Sequence, residues 1–211
     1  SASIQDIIRR HLYAHGNLDK LPELAAIHLN DTHPVLAIPE MMRVMLDECG
    51  YGWDAAWDIV KRTVAYTNHT VLAEALERWP QQLIEKWLPR IWQILKEIAH
   101  RYQRELESRY GGDQGKIANM AIIWGGEVRM ADLCVCACQY INGVSALHSE
   151  ILRREVFRDA CLAQPDKFKN VTNGIDHRRW LSEINPGLDG LIRDLTGGDD
   201  YLLHPQALKK L

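Results

Sequence analysis

Two segments of the chain share one pattern, in which an apolar run stops at short polar residues and a helix-like pattern follows. The first is AAIHLNDTHP, from Ala25 to Pro34, and the second is TVAYTNHT, from Thr63 to Thr70. Apolar runs of this length are typical of buried strands in α/β proteins. Two such strands, each followed by an Asn and a His, predict two imidazoles along one edge of a sheet. In open α/β sheets the carboxyl edge is where ligands bind.

Alternation of strand-like and helix-like segments continues along the chain. It predicts a helix-rich α/β fold with a mostly parallel sheet and right-handed crossovers. A long charged amphipathic stretch, residues 81–110, contains Pro89, so we expect it to break into two helices there. Further elements are expected at residues 72–78 (a short helix), 120–124 and 140–144 (strands) and 171–175 (an extended segment).

Composition restricts the class of partner. The 211 residues carry a formal net charge of -3 at pH 7, which favours neither a nucleic acid nor an anionic membrane as partner. No apolar run approaches the ~20 residues that span a bilayer, and no secretory signal is visible. Cys134, Cys136 and Cys138 lie two residues apart, which is not the spacing of a zinc site. We therefore expect reduced thiols, no metal site and a cytoplasmic protein.

The polar loop from Asn30 to His33 has two interpretations. Asn and Asp are preferred helix caps and Pro34 suits a first helical turn, so the loop can simply start a helix. A cap explains neither His33 nor the second loop with the same residue types, and we favour a binding edge. Short, fixed hydrogen-bonding groups suit sugar hydroxyls, whereas a phosphate would call for Arg, Lys or a glycine-rich turn.

Other polar residues have simpler interpretations on their own. Glu74 lies near the start of a predicted helix, where a carboxylate interacts favourably with the helix dipole. The turn before Val144 contains a glycine, which tolerates unusual dihedral angles. Arg9 and Arg10 form a basic doublet on a solvated helix face, and His148 is expected to be a hydrogen-bonded histidine of the core.

Four ordered segments resemble the α-glucan phosphorylases: LNDTHPVLAIPEMMR, AYTNHTVLAEALERWP, NGVSALHSEI and VTNGIDHRRW. The resemblance covers essentially the whole chain and is strongest to bacterial members. It implies part of a GT-B architecture, in which two Rossmann-like domains face a cleft. It also implies a glycosyltransferase that releases α-glucose 1-phosphate from α-1,4-glucans, such as glycogen or maltodextrin, by phosphorolysis with retention.

The resemblance also implies roles for single residues. His69 matches the histidine that contacts the transferred glucosyl unit. Asn173 matches the asparagine that binds the 6-hydroxyl of this sugar, and Val144 matches the valine packed beside it. Asp31 and His33 match the pair that faces the acceptor end of the glucan.

Three further residues match positions outside the glucosyl contacts. Glu74 matches a glutamate in the loop after the histidine. Arg9 and Arg10 match arginines that bind AMP phosphate in allosterically regulated animal members. The dipeptide Asp176-His177 departs from the family, which usually has Thr-Pro there, and this departure is expected to alter the entry to the next helical turn.

The chain is expected to be a central fragment. Residues 1–172 would form the second half of the N-terminal glucan-binding and catalytic domain. Residues 173–211 would form the crossover and the start of the C-terminal domain, whose lysine holds pyridoxal 5′-phosphate in the family. That lysine and the phosphate-binding residues match nothing in the chain. We therefore expect no catalytic residue, no covalently bound cofactor and no activity in the chain alone.

The oligomeric state is expected to differ between parent and fragment. The resemblance implies a homodimeric parent, and apolar surface left exposed on the fragment predicts self-association. Two other functional classes stay open from the sequence. One is another GT-B glycosyltransferase, such as a starch-synthase-like enzyme, and the other is a non-catalytic glucan-binding module.

Overall fold

The computed structural model describes the backbone of residues 1–211 and every side chain except that of Ala73. The chain divides into two compact units, Ser1–Thr172 and Asn173–Leu211. The assignment of these units to domains of a larger enzyme stays a prediction.

The first unit alternates helices with short strands. Its helices are α1 (Ala2–His15), α2 (Leu21–Leu24), α3 (Ala37–Arg43), α4 (Trp53–Thr63), α5 (Gln81–Trp87), α6 (Pro89–Tyr110), α7 (Gln114–Met120), α8 (Met130–Ala137), α9 (Ala146–Ile151) and α10 (Arg158–Ala163). Its strands are β1 (Ile27–Asn30), β2 (Val64–Asn68), β3 (Arg78–Pro80), β4 (Ile123–Trp124), β5 (Glu127–Arg129), β6 (Ile141–Gly143) and β7 (Phe168–Asn170). π-Helical segments follow α3 and α9, at Val44–Glu48 and Leu152–Val156, and single 3₁₀ turns lie at Ala73–Ala75 and Pro165–Lys167.

Four strands form a parallel sheet in the order β1-β2-β6-β7. Asn30 lies opposite Thr67, Asn68 lies opposite Gly143, and Gly143 lies opposite Asn170. The strands therefore end almost level with one another, and the loops that follow them share one edge. The predicted helix-rich α/β fold with a mostly parallel sheet is confirmed, and it is consistent with part of a GT-B architecture.

One predicted strand is shorter than expected, and one predicted helix is wrong. Within 120–124 the strand is Ile123–Trp124, which pairs antiparallel with β5 in a separate sheet of order β3-β5-β4. Within 72–78 the structure has a 3₁₀ turn at Ala73–Ala75 instead of a helix, and the chain pairs with β5 from Arg78 onward. Pro80 suits this strand, because proline disfavours helix at the preceding residue and is tolerated on an edge strand.

The predicted break at Pro89 is confirmed. Helix α5 ends at Trp87 and α6 begins at Pro89. Proline is tolerated at the first position of a helix because the first N–H groups have no hydrogen-bond partner within the helix. The apolar stripe of α6 is buried and packs against α3.

Gly143, at the end of β6, touches the backbone of α9. A Cβ atom at this position would collide with Ser149 Oγ and would lie 2.8 Å from Ser149 Cα. Both contacts are closer than a carbon atom tolerates, so the fold requires glycine here. This close approach seats α9 against the sheet and places Val144 at the sheet edge.

Glu40 joins α1 to α3. Its carboxylate accepts hydrogen bonds from Arg43 at 2.8 and 3.0 Å and from Ser1 Oγ at 2.7 Å. The hydrogen bond from Arg43 is the largest cause that lowers the pKa of Glu40, to about 2. The carboxylate therefore stays charged at any pH well above 2.

The second unit consists of short helical segments. They are a π-helical segment (Arg178–Glu183), α11 (Pro186–Thr196) and two 3₁₀ segments (Asp200–Leu202 and Pro205–Lys210). Tyr201 is buried, and its hydroxyl donates to Asp189. His177 Nε2 contacts the carbonyls of Tyr201 and Leu202 at 3.0 and 3.1 Å, and Asp176 accepts from the Arg179 amide at 3.1 Å. Both residues of the unusual Asp176-His177 dipeptide thus stabilise this unit.

Candidate functional site at the carboxyl edge of the parallel sheet

Four loops leave the carboxyl ends of the parallel strands at the same edge. Asp31 follows β1, His69 follows β2, Val144 follows β6 and Val171 follows β7. The ladder between the first two strands extends one residue further, because the Asp31 amide donates to the Thr67 carbonyl at 2.9 Å. The two Asn and His loops therefore lie side by side, as their sequence pattern predicts.

Asp31 has an unusual backbone conformation. Its φ of 63° lies in the left-handed region, and it is the one described residue other than glycine with a positive φ. Its Oδ1 accepts from the Thr32 amide at 2.7 Å, a local bond that lets aspartate tolerate this region. Helix α3 begins only at Ala37, with no side-chain cap among the described residues, so the helix-cap interpretation of this loop is wrong. The surrounding structure must impose the strained turn.

The ring of His69 is fixed by the last residue of β1. His69 Nε2 lies 2.5 Å from Asn30 Oδ1. Because an amide oxygen can only accept, Nε2 carries the proton and Nδ1 is the acceptor of this ring. His69 is exposed, so Nδ1 can accept a hydrogen bond from a ligand hydroxyl.

An open cleft of about 500 Å³ lies beside the first two loops. It is lined by residues of both loops: Asp31, Thr32, His33, Thr70, Glu74, Ala75, Leu76, Glu77 and Arg78. Three of the predicted site residues, Asp31, His33 and Glu74, thus share one cleft. Glu74 is exposed within a single 3₁₀ turn, where no helix dipole of consequence acts, so the helix-dipole interpretation is wrong.

Reciprocal hydrogen bonds hold the loop that carries Val144. Ser145 Oγ accepts from the His148 amide at 3.1 Å, and the Val144 amide donates to His148 Nδ1 at 3.1 Å. This pair resembles a capping box with histidine in the place of the usual glutamate or glutamine, but the second amide belongs to Val144, one residue before the N-cap Ser145. His148 is in the core and is hydrogen-bonded through Nδ1 as predicted, whereas its Nε2 is buried without a partner among the described residues.

The remaining predicted site residues are not among those that line the cleft beside the first two loops. Asn173 is exposed at the start of the second unit, ahead of its π-helical segment. Arg9 and Arg10 lie on α1 with side chains 80% and 79% exposed, and both pair with Asp6, at 2.6 and 2.8 Å. The hydrogen bond from Arg9 is the main cause that lowers the pKa of Asp6. This arrangement fits a solvated helix face, and an anion-binding role for the two arginines stays a prediction.

Three polar residues of the edge were not predicted. Asn142 links β6 to the chain after β7, accepting from the Val171 amide at 2.6 Å. Asn170 donates to the Gly143 carbonyl at 3.0 Å. Glu77 accepts from the hydroxyl of Thr32 at 2.6 Å. Asn170 ends β7 and Asn142 is the last residue but one of β6, which is a usable signal. The partner of Glu77 lies 45 residues away, and no local pattern indicates it.

A larger groove of about 720 Å³ runs along α4 and α6 and shares no lining residue with the cleft. Arg101 occupies it, pairing with Glu97 at 2.6 Å and Asp54 at 2.7 Å over the ring of Trp53. Because these groups already satisfy one another, the groove is a weaker candidate than the sheet edge.

Neither a metal site nor a membrane-spanning helix is found among the described residues. No group of three or more His, Cys, Asp or Glu side chains in this part of the chain could hold a metal ion. No helix found there has the length and apolar character that crossing a membrane requires. The five cysteines are free thiols, and burial raises the pKa of Cys134, Cys136 and Cys161.

Comparison with known proteins decides the family. Residues 1–211 match the family model described as carbohydrate phosphorylase. The chain belongs to the carbohydrate phosphorylase family. It is 44% identical over 210 residues to the glycogen phosphorylase of Bacillus subtilis (strain 168), and 45% identical over 222 residues to the muscle form of glycogen phosphorylase of Homo sapiens. The match to the muscle form of Oryctolagus cuniculus is 44%.

Each of these alignments covers 100% of this phosphorylase-family chain and 26% of the relative. The chain thus spans about a quarter of the length of the curated relatives it matches. Membership of the carbohydrate phosphorylase family removes the starch-synthase-like alternative. Bacterial and mammalian relatives match at nearly equal identity, so a bacterial origin stays a prediction.

Proposed function

We propose that the chain is the part of an α-glucan phosphorylase that holds the glucan. The parent enzyme is a glycosyltransferase that passes the non-reducing terminal glucose of glycogen or maltodextrin to phosphate. The product is α-glucose 1-phosphate, formed with retention. One observation carries the proposal: in a chain that matches this family throughout, Asp31, His33 and Glu74 line one cleft at the carboxyl edge of the sheet.

The proposed contacts with the glucan fall into two groups. His69, whose Nδ1 is oriented as an acceptor, and Val144 contact the glucosyl unit that is transferred. Asp31 and His33 face the glucan chain that this unit leaves, and Glu74 lines the same side. Asn173 binds the 6-hydroxyl of the transferred sugar. Carboxylates, imidazoles and amides suit this task because sugar hydroxyls both donate and accept.

The parent uses pyridoxal 5′-phosphate, but the residues of this chain do not fit the cofactor. Burial lowers the pKa of Lys167, as a Schiff-base lysine would need, yet its Nζ donates to the carbonyls of Val135 and Cys136 at the end of α8. Lys116 pairs with Asp113. Both lysines are thus already engaged with partners of this chain. The cofactor lysine and the phosphate-binding residues belong to the rest of the parent, and the chain alone is inactive.

The remaining features follow the family. The parent is a cytoplasmic homodimer without nucleic acid or membrane partners. Residues 1–172 form the second half of its N-terminal domain, and residues 173–211 form the crossover and the start of the cofactor domain. Arg9 and Arg10 are a candidate anion site in members under allosteric control. Trp87 and Leu147 are 67% and 72% exposed, which supports self-association of the isolated chain.

Titration of the ¹⁵N-labelled chain with maltoheptaose, followed by NMR, tests the glucan site. We expect weak binding that shifts the amides of residues 31–33, 69–74 and 144, while cellohexaose, with β linkages, shifts none of them. Equal shifts with both sugars would refute the proposal. Strong binding by the isolated chain would favour a glucan-binding module instead.

An enzymatic assay tests the expected inactivity. The chain is incubated with maltoheptaose and phosphate, and release of glucose 1-phosphate is measured. Release above the background without protein would contradict the assignment of the missing chemistry to the rest of the parent.

A further inference from the structure

One carboxylate joins the two loops that line the cleft. Glu77 Oε2 accepts from Thr32 Oγ1 at 2.6 Å, and Glu77 Oε1 accepts from Trp79 Nε1 at 2.8 Å. The main-chain carbonyl of Glu77 accepts from the Met130 amide at 3.1 Å. Glu77 is therefore fixed to the start of α8 and to β3, and one of its oxygens reaches across to the loop after β1.

That loop needs an anchor. Asp31 holds a left-handed conformation that costs energy in a residue with a side chain, although aspartate tolerates it better than most, and its own carboxylate is turned back onto the Thr32 amide. The side chain of Thr32 is 3% exposed, so its hydroxyl has no access to bulk water as an alternative partner. Without Glu77, a buried hydroxyl would lose its hydrogen bond, and the contact of Asn30 with His69 would be the remaining described side-chain tie between this turn and the second loop.

We propose that Glu77 is a positioning residue of the glucan site. Through Thr32 it fixes the turn that presents Asp31 and His33 to the cleft. The proposal rests on the proposed function in one respect, namely that the ligand of the cleft is a glucan. Both oxygens of Glu77 are already occupied by donors, so Glu77 acts through Thr32.

The chain offers a matched control for the threonine. Thr63 is also 3% exposed, and its hydroxyl also makes one short hydrogen bond, to the Ile59 carbonyl at 2.7 Å. Thr32→Val and Thr63→Val therefore remove the same group from equally buried positions. Thr63 ends α4 and does not line the cleft, so only Thr32→Val disturbs the turn at Asp31.

The experiment compares Thr32→Val, Glu77→Ala, the double variant and Thr63→Val by amide hydrogen exchange, in the absence of any sugar. Exchange of the Asp31 and Thr32 amides is expected to accelerate about tenfold in Thr32→Val and in Glu77→Ala, and no further in the double variant. Thr63→Val leaves these two amides unchanged. Thr32→Ser, which keeps the hydroxyl, restores the exchange rates of the native chain.

Maltoheptaose affinity is measured on the same proteins. Thr32→Val and Glu77→Ala are expected to bind about tenfold more weakly, and Thr63→Val to bind as the native chain does. If a variant does not fold, Thr32→Ser and Glu77→Gln replace it. Because the side-chain amide introduced by Glu77→Gln would offer one acceptor oxygen for two donors, the Trp79 indole N–H signal should move in this variant.

The possible results separate the two proposals. Unchanged exchange at Asp31 and Thr32 in Thr32→Val would overturn the role of Glu77. Accelerated exchange with native affinity for maltoheptaose would also overturn it, because the turn would then be irrelevant to the ligand. Accelerated exchange in a chain whose native form binds no maltoheptaose would refute the proposed function and leave the anchoring of the turn intact.

Discussion

The loop after β1 and the loop after β6 lie at the same sheet edge, but interactions of very different range hold them. Most contacts of the loop at Gly143–Val144 come from Ser145, His148 and Ser149, within six positions of Gly143, and one hydrogen bond comes from Asn170. The loop at Asp31 is held by Glu77, 45 residues beyond Thr32. The first arrangement depends mainly on the packing of α9 against β6. The second exists only when the segment around Glu77 is already packed, so the two loops should fail independently.

Gly143→Ala is expected to have the largest effect on stability, because it disrupts the contacts that hold the loop at Gly143–Val144. The added methyl group would collide with Ser149, including its main chain, and should destabilise the unit by about 3 kcal/mol. Urea unfolding measures the loss. Gly115→Ala in α7 is the control: its nearest neighbour lies at an ordinary contact distance of 3.4 Å, and we expect no loss of stability. Equal midpoints for both variants would disprove the close approach.

His148→Ala removes one half of the capping box. It leaves the Val144 amide without an acceptor and should lower the free energy of unfolding by about 2 kcal/mol. His148→Gln should retain most of that stability, because glutamine is a usual residue at this position of a capping box. Leu147→Ala, at a 72% exposed position of the same helix, is the control and should be nearly neutral. A loss in His148→Gln as large as in His148→Ala would contradict the reciprocal bonding.

The stability of the region around Glu77, which anchors the loop at Asp31, should depend on pH through Asp132 in the first turn of α8. This residue lines a cleft of about 310 Å³ with Glu77, Arg78 and Arg129. Burial raises the pKa of Asp132 from 3.8 to about 7, although Arg129 and Arg78 act in the opposite direction. The folded protein therefore keeps a proton that the unfolded chain releases near pH 3.8, and stability falls as pH rises between these two values.

The corresponding measurement is urea unfolding at two pH values. Raising the pH from about 6 to about 8 should lower the free energy of unfolding by about 1.4 kcal/mol through this group. Asp132→Asn should remove that part of the slope, whereas Asp159→Asn, in the same cleft, should keep it. A slope that is identical in the native chain and in Asp132→Asn would exclude Asp132 as its source.

Arg9→Ala and Arg10→Ala should have the smallest effect. Both side chains are about four-fifths exposed and pair with one surface carboxylate, and such pairs contribute little. We expect urea midpoints within error of the native value, and unchanged amide exchange in both loops of the sheet edge. A clear shift at Asp31 or Val144 would show that α1 takes part in holding the edge.

Much of the fold could be predicted from local patterns. The apolar runs ending at Asn30 and Asn68 did form neighbouring parallel strands, and Pro89 did divide a long helical stretch. The wrong prediction falls where pairing between distant segments decides the conformation. Arg78–Pro80 is a strand because it pairs with β5, and no local pattern in this segment identifies that partner. Ile123–Trp124 pairs with the same strand across the two-residue turn Gly125-Gly126, which is a local hairpin signal.

The candidate site shows the same division. The position of Asp31, His33 and His69 at the carboxyl edge could be predicted from strand order and side-chain type. Each of them follows a strand, and parallel strands of similar length end together. The left-handed turn at Asp31, the tautomer of His69 and the anchoring by Glu77 depended on the packed fold. Each of these needs a partner on another element, and hydrogen bonds of this kind form only after the chain has brought the two segments within about 3 Å.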